Sequence, residues 1–83
     1  MQIDKQSRDM LDLLRESEPD EDRGTFTYEA ISKLSSLSET DVIRIAKALV
    51  GFQLAEFTRG AISGVDIGIA ISQRGRCYEE YLG

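Results

Sequence analysis

Residues 31–51 read Ile-Ser-Lys-Leu-Ser-Ser-Leu-Ser-Glu-Thr-Asp-Val-Ile-Arg-Ile-Ala-Lys-Ala-Leu-Val-Gly, and the second half of this stretch decides the fold. Ser38 and Asp41 have the N-cap to N3 spacing of a capping box, with Asp in place of the usual Glu. Leu37 and Val42 take the two positions of a hydrophobic staple around it. A helix is therefore expected to start at Ser38. Its apolar residues Val42, Ile45, Ala46, Leu49 and Val50 fall at offsets 0, 3, 4, 7 and 8, which defines a wide buried face. At about 100° per residue the opposite face carries Thr40, Arg44, Lys47, Ala48 and Gly51.

Upstream, Thr25-Phe26-Thr27 is short and β-prone, and Thr27 is placed to cap a two-turn helix from Tyr28 with Ile31 and Leu34 toward the core. That helix ends in Ser35-Ser36-Leu37-Ser38, where hydroxyls compete with the helical ladder. Before it, the polar run Glu18-Pro19-Asp20-Glu21-Asp22-Arg23-Gly24 reads as an exposed loop; the spacing of its carboxylates and glycine does not match a calcium loop. From Asp4 to Ser17, Met10, Leu13 and Leu14, with Ile3 one heptad earlier, form the stripe of an amphipathic first helix that stops before Pro19.

Downstream of Phe52 the period changes from 3.6 to 2. Residues 54–58 alternate, Gly60 through Gly64 supply turn chemistry, and Val65, Ile67, Ile69 and Ile71 share one side of a second strand, so this is a hairpin with a long loop. Ser72 then caps a last helix running through Tyr81 and Leu82, with Gly75 weakening its first turn. The sole cysteine, Cys77, beside Tyr78, reads as a packed structural thiol.

Helix, short strand, helix, tight turn, helix, hairpin, helix is the order of an α+β winged helix-turn-helix, expected here as one domain over residues 1–83. The residues themselves resemble that group. Ile31 to Ser38, then Val42, Leu49 and Leu54, look like the helix-turn-helix of bacterial winged-helix regulators, and Ile71-Ser72-Gln73-Arg74-Gly75 is similar to the Leu-Thr-x-x-Gly step of MarR-like proteins. Ser32 and Ser36 stand where the motif usually carries Ala and Gly, and Gln53 where a Gly commonly ends the third helix. The resemblance implies a small DNA-binding protein and transcriptional regulator that reads the major groove of double-stranded DNA with the third helix. Thr40, Arg44 and Lys47 on that helix and Arg59 at the base of the wing are the expected DNA contacts.

Charge qualifies that expectation. Ten Lys and Arg against fifteen Asp and Glu give a net −5, which opposes a uniformly basic coat. The acidity is uneven: residues 1–23 hold four cations and eight carboxylates, a net −4, while residues 42–76 hold five cations and two carboxylates, a net +3. The wing tip Gly60-Ala61-Ile62-Ser63-Gly64 carries no cation and presents Ile62. The alternative is therefore a winged-helix protein-interaction module or homodimer without DNA binding. With no His and one Cys, neither a zinc site nor a Cys-His nucleophile pair is expected, and no enzyme activity or cofactor is expected either. The longest apolar run is far below the roughly 20 residues of a membrane span, and Asp4 and Asp9 interrupt any signal-peptide core, so a cytoplasmic protein is expected.

Overall fold

The structure is a computed structural model that describes residues 3–21, 24–59 and 66–78. Among these lie four helices and three strands in the order α1 (Lys5–Glu16), β1 (Thr25–Thr27), α2 (Tyr28–Ser35), α3 (Glu39–Gly51), β2 (Ala55–Arg59), β3 (Asp66–Ile71) and α4 (Gln73–Arg76). The fold is α+β, with an antiparallel sheet ordered β1-β3-β2. No helix of the described residues is long and apolar enough to cross a membrane.

Each helix starts on a side-chain cap that satisfies an otherwise orphaned backbone N–H. Asp4 accepts from the Ser7 amide at 2.7 Å, Thr27 from Ala30 at 3.2 Å, Ser38 from Asp41 at 3.2 Å and Ser72 from Gly75 at 3.1 Å. The turn between α2 and α3 is closed by Ser36, whose φ of 63° is left-handed. There the Ser32 hydroxyl donates to the Leu37 carbonyl and the Ser35 hydroxyl to that of Ile31. Gln53, after α3, is left-handed as well, with φ of 64°. Ser36 and Gln53, the two positions where the expected helix-turn-helix pattern would carry glycine, are the two non-glycine residues among the described residues with positive φ.

Three helices and the sheet share one core. Leu11, Leu14, Ile31, Val42, Leu49, Leu54 and Ile69 are at most 1% exposed, and Met10, Phe26, Ile45, Ala46 and Tyr78 surround them. Burying a side chain of this size contributes about 1.5–3 kcal/mol. Two side chains differ from expectation. Leu34 does not face the core but is 47% exposed, and Leu13 is half-buried, while Leu11 takes the fully buried place. Helix α2 has only eight residues, and Ile31 alone among them is buried. Leu34 instead joins Leu13 and Leu37 along a groove between α1 and α2.

Strand β3 pairs on both sides: Thr25↔Ala70, Phe26↔Ile69 and Thr27↔Gly68 toward β1, and Ala55↔Ile71 through Thr58↔Gly68 toward β2. The register then slips, Arg59 pairing with Asp66, so the hairpin carries a bulge. The expected wing tip, with Ile62 and Val65, lies outside the described residues, as do Tyr81 and Leu82 of the expected last helix. Cys77 is half-buried just after α4.

The loop before β1 is braced by an unexpected contact. Asp20 accepts from the Thr27 amide at 2.9 Å and from its hydroxyl at 2.7 Å, so one carboxylate ties the loop to the cap of α2. Partial burial raises the Asp20 carboxyl, the two Thr27 donors lower it, and the balance lies below its ordinary 3.8. A depressed folded-state pKa gives stabilisation that is complete above the unfolded value near 3.9 and is lost as pH falls through the folded value. Asp20→Asn is therefore expected to cost up to about 1 kcal/mol at pH 7. That deficit should shrink toward pH 3, read from urea midpoints; a deficit constant with pH would contradict it.

Candidate nucleic-acid interface

The side chains expected on the outer face of α3 are there. Thr40, Arg44 and Lys47 are exposed and lie within about 60° of one another around the helix axis. Ala48 is half-buried beside them, and Gly51 has open space: an added Cβ would meet nothing within 4 Å. The buried face matches as well, with Val42, Ile45, Ala46 and Leu49 in the core and Val50 half-buried against it. The sharp α2–α3 turn presents α3 at the surface, because its staple residue Leu37 packs against the core while the polar face turns outward.

Arg44 has one partner that its own helix does not predict. Both terminal guanidinium nitrogens donate to Oε1 of Gln6, at 3.2 Å each, across 38 residues of sequence. Asp41 adds an exposed ion pair at 3.8 Å, worth a few tenths of a kcal/mol in such a setting. The Asp4 carboxyl is lowered first by the Ser7 amide and, in smaller part, by the positive charge of Arg44. The guanidinium is thus held near the start of α1, its remaining N–H donors available to another acceptor. Glu39 and Asp41 place negative charge in the first turn of α3, where it complements the helix dipole.

Arg59 is exposed at the end of β2. It stands on the hairpin rather than on α3, and β2 begins four residues after α3 ends. The start of α4 is tied to Gln53, just after α3, by two side-chain hydrogen bonds. The Ser72 hydroxyl donates to the Gln53 carbonyl at 2.8 Å, and Arg74 donates to the Gln53 side-chain oxygen at 2.8 Å. Gln53 therefore uses both its backbone and its side chain in a conformation that glycine would adopt with less strain.

Among the described residues no group of His, Cys, Asp or Glu side chains is arranged to hold a metal ion. The chain matches no family model, no curated protein and no solved structure.

Proposed function

We propose that the chain is a winged helix-turn-helix domain, similar to MarR-like regulators, that binds double-stranded DNA and acts as a transcriptional regulator. The observation that carries this reading is the outward triad Thr40, Arg44 and Lys47 on a helix that directly follows a tight turn. Two further features support it: a hairpin that immediately follows the helix, and the strand order β1-β3-β2, which joins that hairpin to the short strand before α2. In this reading α3 lies in the major groove, where Arg44 reads guanine through its free donors and Lys47 meets a guanine or phosphate. Thr40 and Gly51 allow close approach, and Arg59 contacts the backbone beside the groove.

The test is fluorescence anisotropy with duplex DNA across a salt series. Lys47→Ala is expected to lower the slope of log affinity against log salt by about 1, and Arg44→Ala to cost about 1–3 kcal/mol of affinity. Binding unchanged in both variants would overturn the assignment of this face. A second reading, a protein-interaction module or homodimer, is favoured by the groove of about 450 Å³ between α1 and α2, where Leu34 is 47% exposed. Dimer-sized elution that Leu34→Ser abolishes, without any DNA shift, is the result that would select it.

A further inference from the structure

A second concave surface shares no residue with that interface. It is a cleft of about 360 Å³ where the end of α1, the loop before β1, and the end of β3 with α4 converge. Its apolar floor is Leu14, Phe26 and Ile71, and its walls carry Arg15 and Arg76. No carboxylate is among the described residues that line it. That is unexpected in a chain with fifteen acidic residues against ten basic ones.

The two arginines are weakly engaged. Arg15 has an i,i+3 ion pair with Asp12 at 3.7 Å, an interaction of small worth at a surface. Arg76 makes no ion pair among the described residues, and its guanidinium lies against Gly24, where an added Cβ would sit 3.9 Å from Nη2. Gly24 itself has φ of 75°, a left-handed conformation that lets the loop turn beside the cleft. Each arginine stands in the last turn of its helix, where it complements the helix dipole. That accounts for each charge separately but not for their convergence over an apolar floor.

We propose that this cleft binds a small organic phosphate, a phosphate monoester whose head lies between Arg15 and Arg76 and whose apolar group lies against the half-buried Ile71, above the buried Leu14 and Phe26. A phosphate monoester carries about −1.5 to −2 charge at neutral pH, which two guanidinium groups balance, whereas a carboxylate supplies half of that. Arginine's planar fork suits phosphate oxygens, and the volume is within the range of small-ligand sites.

The experiment is an NMR titration of the whole chain with phenyl phosphate, following the Arg Nε–Hε signals and the amides of residues 14–26 and 71–76. Saturable shifts at Arg15, Arg76 and Phe26 are expected. Inorganic phosphate, which lacks the apolar group, and benzoate, which lacks the second charge, should each bind about tenfold or more weakly. Arg76→Gln, an exposed substitution compatible with folding, should weaken phenyl phosphate about tenfold, while Arg59→Gln should leave it unchanged. The proposal is overturned by non-saturating shifts, by equal weakening in the two variants, or by inorganic phosphate binding as well as phenyl phosphate. Benzoate binding as well as phenyl phosphate would overturn the choice of phosphate.

Discussion

Gly68→Ala is expected to destabilise the domain by about 3 kcal/mol or more, a large part of the roughly 4–12 kcal/mol available to a chain of this size. A Cβ at this position would lie 1.8 Å from the Phe26 carbonyl oxygen and 2.7 Å from both the Phe26 carbonyl carbon and the Thr27 Cα. These neighbours are backbone atoms, so no rotamer change makes room. Gly68 pairs with Thr27 on one side and Thr58 on the other, in the middle strand of the sheet. Strand β1 must therefore move off β3, and with it Phe26, which is 2% exposed in the core. Urea unfolding followed by circular dichroism measures the loss. A midpoint within experimental error of the parent would mean that β1 does not pack against Gly68 as described. Gly51→Ala is the matched control, because its methyl group meets nothing within 4 Å. It should leave stability unchanged or raise it by up to about 1 kcal/mol.

Gly75→Ala separates local preference from tertiary packing by the sign of its effect. Helix propensity alone favours alanine over glycine by about 1 kcal/mol in a helix interior. The surroundings oppose it: a Cβ on Gly75 would be 2.1 Å from the Leu54 carbonyl oxygen and 2.8 Å from Cγ2 of Ile71. Leu54 is fully buried, and its carbonyl accepts from the Ser72 amide at 3.1 Å, so it cannot retreat without breaking that bond. The expected result is a loss of about 2–3 kcal/mol or more, as α4 shifts and draws Tyr78 from its buried place. A gain in stability would show that α4 is loosely docked and that propensity governs this position.

These two glycines mark how far the sequence could be read. Caps were legible because they are local: Ser38, Thr27 and Ser72 bond amides three residues ahead, as their spacing to the following apolar run indicates. The α3 stripe was legible because five apolar residues on one face leave little choice of orientation. For α2 the local pattern misled, since in an eight-residue helix the position of Leu34 depends on where α1 lies. For Gly75 propensity indicated a weak first turn, yet the reason for glycine is a carbonyl 21 residues earlier in the chain. The exposed placement of Thr40, Arg44 and Lys47 on α3 was legible from helical phase, and that of Arg59 from its place at the end of an alternating strand. Gln6 was not, because its bond to Arg44 joins two elements whose packing no local spacing encodes. The bracing of Thr27 by Asp20 was missed for the same reason.

The sheet has a middle strand and two outer ones, and its outer strands bear on self-association. An unpaired strand edge is a template for another chain. Strand β1 offers only three residues, too few for an extended ladder. Strand β2 is longer, but it exposes Glu56 and Arg59, and its pairing slips at Thr58/Arg59, so the edge is charged and bent where a flat one would invite stacking. The β1 edge is moreover occupied by the preceding loop, whose Glu21 amide donates to the Thr25 carbonyl at 3.1 Å and whose Asp20 accepts from the Thr27 amide at 2.9 Å, so both outer strands are poor seeds for cross-β growth, a safeguard for a chain whose exposed Phe57 lies on β2.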